Sequence, residues 1–261
     1  MPRFAANLSM MFTEADFLDR FERAAEAGFE AVEFLFPYEY PPEILASKLA
    51  DNGLQQALFN MPPGNWEAGD RGLASCPGRE SEFADGIEKA LEYAQALGCP
   101  RLHMMAGIPG NEIAPEQAFD TYAGNLRRAA EAAARVDRDV IIEPINTRDI
   151  PGFFLNYQAH ARRAIEAVDL PNLGLQLDLY HCQIMEGDLA IHIDRYADIT
   201  RHIQIAGVPE RHEPDVGELN YPYLFERIDA TGFDGWIGCE YRPRGKTEDG
   251  LGWFQPYRPQ R

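Results

Sequence analysis

Residues 140–178 read VIIEPINTRDIPGFFLNYQAHARRAIEAVDLPNLGLQLD, and this stretch determines the fold class that the sequence predicts. It opens with the short apolar run Val-Ile-Ile and closes with Leu-Gly-Leu-Gln-Leu-Asp, and both runs are typical of buried strands. The longer segment between them has a helical pattern. A strand, a helix and a second strand in this order indicate a parallel sheet built from βαβ units.

The same alternation continues in both directions along the chain. The predicted strands are Phe4–Leu8, Ala31–Phe36, Leu54–Asn60, Arg101–Met105, Val140–Glu143, Leu173–Asp178, Arg201–Ile205 and Trp236–Tyr241. Their spacing is close to the roughly 30 residues of a βαβ unit. No Gly-x-Gly-x-x-Gly turn follows the first strand, which disfavours a dinucleotide-binding sheet. We therefore predict an α/β protein, a single (β/α)8 TIM barrel over residues 1–261 with a C-terminal extension from about residue 242.

Capping residues, prolines and glycines predict where the helices begin and end. Thr13 and Asp16 resemble a capping box that opens the first helix, and Gly28 would end it. The further helices with clear bounds are Pro42–Asn52, Glu80–Leu97 and a helix from Pro115 to about Arg135. The long loop 62–78 precedes the second of these, and loops of this kind often close over a pocket.

Composition and charge exclude several classes of protein. The chain has 24 Lys and Arg against 42 Asp and Glu, a net charge of −18, so we expect no nucleic-acid partner. It has no apolar run of roughly 18 residues that would span a membrane, and no secretory signal. The four cysteines are widely spaced, which predicts reduced thiols and a cytoplasmic protein.

Polar side chains stand at the ends of the last four predicted strands. Glu143, Asp178, Gln204 and Glu240 occupy these positions, and a barrel of this class has its active site at the carboxyl ends of its strands. Carboxylates brought together there would repel one another, and a divalent cation relieves that repulsion. Oxygen ligands favour Mg²⁺ or Mn²⁺, whereas zinc would recruit more nitrogen or sulfur. The sequence therefore predicts a metal site.

Five further side chains are candidates for contact with a substrate. His181 follows the sixth strand and would lie over the pocket, while His103, inside the fourth strand, faces either the core or the pocket. Arg211 and His212 lie in the loop after the seventh strand. The guanidinium of Arg211 suits a carboxylate, although an ion pair within its own loop is an equal alternative. Trp66, on the loop 62–78, is predicted as either part of a lid or an oligomer contact.

Several segments, in the same order along the chain, carry a resemblance to a known family. They are FAANL (4–8), NMPPGNWEAGDRG (60–72), IEPIN (142–146), QLDLYHCQ (176–183), GVPERHEP (207–214), GCEYRP (238–243) and GLGWF (250–254). The chain resembles, over essentially its whole length, the hydroxypyruvate isomerase family of the xylose isomerase-like barrels. The resemblance implies Glu143, Asp178, Gln204 and Glu240 as ligands of one divalent ion, Mg²⁺ or Mn²⁺, and a homo-oligomer with the segment after Glu240 as a candidate contact.

The resemblance also implies a reaction, with alternatives. The implied enzyme interconverts hydroxypyruvate and tartronate semialdehyde (2-hydroxy-3-oxopropanoate) by proton transfer between Glu143 and Glu240 through an enediolate. A 2-oxo-tetronate isomerase with the same chemistry fits the same segments. Related sugar epimerases carry a histidine where Gln204 stands, which disfavours a ketose epimerase. An endonuclease of the same superfamily and a non-catalytic barrel that binds sugar acids are weaker alternatives, the first because of the charge of −18.

Overall fold

The computed structural model describes residues 1–259 and shows eight parallel strands closed into a barrel. The strands are β1 (Arg3–Asn7), β2 (Ala31–Phe34), β3 (Gln55–Asn60), β4 (Arg101–His103), β5 (Asp139–Ile142), β6 (Leu173–Asp178), β7 (Thr200–Ile205) and β8 (Trp236–Cys239). Each strand pairs with the next one along the chain, and β8 returns to pair with β1, where Trp236 lies opposite Arg3. The predicted TIM barrel is confirmed.

Helices occupy every interval between the strands. They are α1 (Arg20–Glu26), α2 (Pro42–Asp51), α3 (Glu80–Ala96), α4 (Pro115–Ala134), α5 (Gln158–Val168), α6 (Leu179–Met185), α7 (Leu189–Arg195) and α8 (Tyr221–Ala230). Two short helices, α6 and α7, share the connection from β6 to β7, and 3₁₀ turns cover Phe17–Asp19 and Glu248–Tyr257. In the described part of the chain, no helix is both long enough and apolar enough to cross a membrane.

The helix α4 illustrates how the outer layer packs on the barrel. Its buried residues Ala118, Tyr122, Leu126, Ala129 and Ala133 recur three or four positions apart, so they form one stripe along the helix. The alanines have small side chains, which allows the helix to lie close to the strands beneath it. Pro115 occupies the first turn, where its missing N–H leaves no hydrogen bond unmade. The predicted start of this helix is therefore confirmed.

The first helix begins later than predicted. The proposed capping box Thr13–Asp16 lies in turns, no side chain caps the 3₁₀ segment that follows, and α1 begins only at Arg20. Met11 and Phe12 are fully buried, and Phe12 adopts the left-handed region at φ 57°. Because these two side chains turn into the core, the chain reverses before it can enter a helix, and the capping-box prediction was wrong.

The C-terminal extension is part of the core of the fold. Thr247, Leu251 and Phe254 are buried, and the backbone N–H of Phe12 donates to Thr247 Oγ1 at 2.6 Å. The ring of Phe254 stacks on Phe29 with centroids 4.4 Å apart. These side chains of the extension are consequently buried against their own barrel and not displayed to a partner subunit. Residues 260–261 of the predicted extension lie outside the described residues.

Candidate active site

A cavity of about 270 Å³ opens at the carboxyl ends of the strands. The predicted site residues that line it are Trp66, His103, Glu143, His181, Arg211 and Glu240. Asp178 and Gln204 are buried beside these residues, each about 1% exposed. The loop residues between strands and helices supply the rest of the wall, which includes apolar side chains such as Ile145 and Ile150. The cavity is thus a small pocket with an acidic floor.

Strand register explains why the predicted metal ligands meet. Asp178 on β6 lies opposite Gln204 on β7, while Glu143 and Glu240 each stand one residue past the end of their strands. Carboxylate oxygens of Glu143, Asp178 and Glu240 and a ring nitrogen of His181 all lie within 4.8 Å of one another. Residues far apart in the sequence are brought together because parallel strands of one barrel end at the same face.

The carboxylates of this cluster have oxygens left over for a ligand. Asp178 Oδ1 accepts from the backbone N–H of Tyr180 at 2.7 Å and of His181 at 3.3 Å, which caps α6. Among the residues that the structure describes, Asp178 Oδ2 and Glu143 Oε1 are buried and have no hydrogen-bond partner. A buried polar atom left unpaired is unfavourable, and more so when charged. Unpaired, converging carboxylate oxygens are what a hard divalent cation requires, so these residues fit the predicted metal.

Burial and mutual repulsion disfavour the charged forms of these acids. Burial, followed by the nearby charges of Glu240 and Asp178, raises the pKa of Glu143 well above its ordinary value. Burial raises the pKa of Glu240 to about 8, although Arg211 opposes the change, and raises the pKa of Asp178 to about 6. Burial thus favours the protonated forms of these acids, and a divalent cation held among them would favour the charged forms instead.

Two buried side chains fix the orientation of the Gln204 amide. Its Nε2 donates to Glu33 Oε1 at 2.8 Å, and its Oε1 accepts from Nε2 of Gln176. A carbonyl oxygen has two lone pairs, so Gln204 Oε1 retains one for a cation after Gln176 has used the other. The arrangement is compatible with the predicted ligand role.

Hydrogen bonds around His181 determine which of its ring nitrogens carries the proton. Asn146 Oδ1 accepts from the backbone N–H of Asp149 at 2.7 Å, so the Nδ2 of Asn146 faces His181 Nδ1 at 2.6 Å and donates to it. The proton of the neutral ring therefore lies on Nε2, which is 3.6 Å from Asp178 Oδ2. Burial lowers the pKa of His181 well below its ordinary value. A donor nitrogen suits contact with substrate oxygen better than metal ligation.

Arg211 is engaged by acidic residues of the site. Its guanidinium pairs with Glu240, lies 3.4 Å from Asp149 Oδ2 and 3.6 Å from Asp178 Oδ2, and stacks over Tyr180 at 4.7 Å. The ion pair within its own loop, the alternative raised from the sequence, is not formed. Because carboxylates already occupy the fork of donors, the structure gives no support to Arg211 as a clamp for a substrate carboxylate. Its geometry instead holds Glu240 in place.

Of the remaining residues predicted to contact substrate, His103 and Trp66 line the cavity and His212 does not. His103 faces the cavity, with Nε2 3.6 Å from Glu143 Oε2 and Nδ1 3.1 Å from Asn60 Oδ1. Trp66 lines the mouth and is 38% exposed, so its role in a lid and its role in an oligomer contact both stay predictions. His212 does not line the cavity, and its Nδ1 donates to the backbone carbonyl of Arg242 at 2.8 Å. Direct substrate contact by His212 is a prediction that this placement disfavours.

Sequence reasoning missed a group of polar residues beneath the cluster. Glu33 accepts from Asn7 Nδ2 at 2.9 Å and lies 2.6 Å from Nε2 of His202, which is fully buried as a core residue. Asn7 and Asn60 end β1 and β3, so the strand-end rule applied to those strands would have found them. Glu33 is inside β2 between apolar neighbours, and no local pattern distinguishes it.

Comparison with known proteins agrees with this geometry. A family model described as xylose isomerase-like TIM barrel matches residues 21–257. The 2-oxo-tetronate isomerase of Cupriavidus necator is 58% identical over 98% of this chain and 99% of its own, and the hydroxypyruvate isomerase of Escherichia coli K12 is 48% identical over 99% and 100%. A crystal structure from Brucella melitensis, named AP endonuclease, family 2, is 53% identical and covers 99% of this chain and 100% of its own with a TM-score of 0.98. The chain therefore belongs to the xylose isomerase-like TIM barrel family, in the group that contains the hydroxypyruvate and 2-oxo-tetronate isomerases.

Proposed function

We propose that this protein is a metal-dependent isomerase that interconverts hydroxypyruvate and 2-hydroxy-3-oxopropanoate. The observation that carries the proposal is the pair Glu143 and Glu240, two buried carboxyl groups that line one small cavity. Isomerisation of a hydroxy-oxo acid moves one proton between adjacent carbons, and two carboxyl groups beside the substrate are suited to that task. Relatives named as isomerases at 48% to 58% identity support the same chemistry.

The proposed reaction assigns complementary roles to the two glutamates. One glutamate removes a proton from C3 of hydroxypyruvate, which gives an enediolate. The other delivers a proton to C2, while the hydroxyl proton of C3 moves to the oxygen on C2, so that the product carries its aldehyde at C3. The Nε2–H of His181 would donate to a substrate oxygen during this transfer.

Glu143, Asp178, Gln204 and Glu240 would hold the cation, which we propose to be Mg²⁺ or Mn²⁺. Bound there, it would neutralise the clustered carboxylates and polarise the substrate carbonyl. Their unpaired oxygens, Asp178 Oδ2 and Glu143 Oε1, support this assignment.

A second candidate substrate is a 2-oxo-tetronate, which extends hydroxypyruvate by one carbon. The observation that favours it is the 58% identity to the Cupriavidus necator enzyme of that name. The chemistry at C2 and C3 would be the same, so the two candidates differ only in the space that the fourth carbon occupies.

Turnover assays with defined metals test the proposal. Purified protein would be stripped with a chelator, reloaded with Mg²⁺ or Mn²⁺ and supplied with hydroxypyruvate and with 2-oxo-tetronates in parallel, and the aldehyde or 3-oxo product would be measured. We expect turnover of hydroxypyruvate that requires the metal. A kcat/KM more than tenfold higher for the tetronates would transfer the assignment to the second candidate. No turnover of either acid in the metal-loaded protein would reject both.

The name of the Brucella melitensis relative raises the endonuclease alternative. A net charge of −18 repels a phosphate backbone, and a cavity of about 270 Å³ is small for a nucleotide held in a duplex. We expect no retention of DNA containing an abasic site at physiological salt in a gel-shift assay.

We also propose a cytoplasmic location, since Cys76, Cys99, Cys182 and Cys239 are all free thiols.

A further inference from the structure

The proposed substrates are anions, yet the floor of the cavity has no positive charge to spare. The carboxylates of Glu143, Asp178 and Glu240 would together balance the proposed divalent cation and the guanidinium of Arg211, and Asp149 adds a further negative charge beside Arg211. The chain as a whole carries −18, so its long-range field also repels an anion. A substrate carboxylate therefore requires cationic groups elsewhere on the wall.

Two arginines at the cavity meet this requirement. Arg71, from the loop after β3, and Arg242, from the segment after β8, both line the cavity. Within residues 1–259, neither guanidinium has a carboxylate within salt-bridge distance, in contrast to Arg211. Each therefore keeps its charge and most of its donors available to a ligand.

Contacts with neighbouring residues hold the guanidinium of Arg71 in place but use only some of its N–H donors. Its guanidinium stacks over Trp66 at 3.9 Å, and its Nη1 donates to the carbonyl of Trp66 at 3.0 Å and to the carbonyl of Asp70 at 2.6 Å. The carboxylate of Asp70 does not compete, because Arg79 binds it through two hydrogen bonds of 2.7 and 2.8 Å. Nε and Nη2 of Arg71 are left for a ligand, and an arginine presented in this way suits a carboxylate.

The backbone of Arg242 is anchored on both sides. Its N–H donates to the carbonyl of Arg211 at 2.7 Å, and its own carbonyl accepts from His212 Nδ1 at 2.8 Å. The side chain is exposed at the mouth of the cavity, while the main chain below it is held by the loop after β7. His212 thus acts through Arg242 as a positioning residue.

We propose that Arg71 and Arg242 together bind the carboxylate of the substrate at the mouth of the cavity. This inference rests on the proposed function and names the group that selects acids over neutral sugars of similar length. With its carboxylate at the mouth, a short hydroxy-oxo acid places C2 and C3 toward Glu143 and Glu240. Arg211 keeps its separate role of holding Glu240.

The test combines turnover with a binding measurement that needs no reaction. Arg71→Gln, Arg242→Gln and the double variant would be loaded with Mg²⁺ and assayed with hydroxypyruvate, and binding of D-glycerate, which has the carboxylate but cannot isomerise, would be measured by calorimetry. Loss of a hydrogen bond to a charged group predicts a rise in KM and in the glycerate Kd of about tenfold to hundredfold for each arginine. The fall in kcat is expected to be smaller.

Control variants distinguish a loss of carboxylate binding from a loss of folding and from a failure of the proposed reaction. Lys246→Gln removes an exposed charge from the same segment and should leave the glycerate Kd unchanged. Arg242→Lys should restore part of the affinity, and His212→Ala should raise KM in the wild-type background but not in Arg242→Gln. A double variant that binds glycerate within threefold of wild type, or a wild type that binds none, would overturn the inference. If glycerate binding depends on the two arginines but the protein isomerises neither acid, the proposed reaction is rejected and the carboxylate site is retained.

Discussion

At the residue scale, the candidate site uses the two oxygens of a carboxylate for different purposes. Asp178 caps α6 with Oδ1, while Oδ2 accepts no hydrogen bond from the described residues, so the helix start fixes the direction of this second oxygen. Glu240 is oriented by Arg211 and by Nδ2 of Asn7, which lies 3.3 Å from Glu240 Oε1. Positioning by neighbours restricts these side chains to one geometry before any ligand binds.

Replacement of either proposed proton-transfer residue should abolish most activity. In Glu143→Gln and Glu240→Gln the amide keeps the size of the side chain but cannot accept a proton from carbon. We expect kcat to fall by roughly 10²–10⁴-fold in each variant. Hydroxypyruvate turnover at saturating metal measures this, with circular dichroism as the control for folding. Wild-type kcat in either metal-loaded variant would show that the residue does not transfer the proton.

Glu33 should control the affinity for metal through Gln204. Its carboxylate accepts from Asn7 and Gln204 and contacts His202, and Gly238 leaves room for it, since a Cβ there would lie 2.2 Å from Glu33 Oε2. Glu33→Gln places an amide donor against these donors. We expect a loss of about 1–3 kcal/mol in unfolding free energy and roughly 10–100-fold weaker Mn²⁺ binding.

The measurements are chemical denaturation and a Mn²⁺ titration followed by electron paramagnetic resonance. Glu30→Gln, an exposed residue just before β2, is the matched control and should change neither quantity. Unaltered Mn²⁺ affinity in Glu33→Gln would mean that Gln204 needs no such support.

Local pattern predicted the carboxylates of the site but not the roles of Arg211 and His212. Glu143, Asp178 and Glu240 follow from strand ends, which are recognisable because apolar runs stop there. Arg211 has φ 61°, a conformation that depends on the loop as a whole. Its guanidinium therefore contacts Glu240 of the site and is not free for a ligand. Side-chain partners in such loops depend on tertiary contacts that no local periodicity encodes.

At the scale of elements, the loop 62–78 is packed closely against the loop after β4. A Cβ on Gly72 would lie 2.3 Å from the backbone carbonyl oxygen of Met105, and Gly72 has φ 104°. The two loops therefore approach each other at a distance that only glycine permits. Because this loop carries Trp66 and Arg71, its position determines part of the cavity wall.

Gly72→Ala should displace this loop. We expect a loss of about 1–3 kcal/mol in stability from backbone strain, together with a clear rise in KM. Gly69→Ala is the informative comparison, because Gly69 has a similar φ of 102°, while no atom of residues 1–259 lies within 4 Å of a Cβ added there. Thermal unfolding and hydroxypyruvate kinetics on both variants separate strain from displacement. Equal KM values in the two variants would contradict the role given to the loop contact.

The ion pair of Asp70 with Arg79 gives the loop a dependence on pH. The hydrogen bond from Arg79 lowers the pKa of Asp70 from its ordinary 3.8. An acid whose pKa is lowered by folding stabilises the folded state above its unfolded pKa and loses that contribution as pH falls through the lowered value. For this partly exposed pair we expect a contribution of about 1 kcal/mol or less.

Urea unfolding of wild type and Asp70→Asn at several pH values tests this. The difference between the two should be constant from neutral pH down to about 5 and shrink below 3.8. A difference that grows in acid would have the wrong sign for the ion pair.

Element types were predictable, but α1 begins later than predicted, and β2, β4 and β8 end at Phe34, His103 and Cys239, before their predicted ends. The bounds of β6 agree with the prediction, and Gly53 and Gly98 end their helices with positive φ as expected. The start of α1 was not predictable, because it depends on the burial of Phe12 and on a hydrogen bond to Thr247. A residue so distant in sequence leaves no mark on the local pattern around Thr13.

At the scale of the whole molecule, removal of the metal should lower stability as well as activity. Without a cation, the buried acids that β5, β6 and β8 bring together repel one another. A ligand bound only by the folded state stabilises it by about 2.7 kcal/mol at a concentration one hundred times its Kd. We therefore expect a chelator to lower Tm and abolish turnover, and Mg²⁺ or Mn²⁺ to restore both. K⁺ at equal ionic strength should restore neither, and an unchanged Tm with full activity in chelator would argue against the metal.

The bond between Phe12 and Thr247 joins residues 235 positions apart, and β1 finds its second neighbour only in β8. During synthesis on the ribosome, one edge of β1 therefore has no strand to pair with until nearly all of the barrel has been translated. Closure of so long a segment is slow compared with local helix formation. Incomplete chains would expose an unpaired strand edge for the whole of that interval, so we expect them to be more prone to aggregation than the closed barrel.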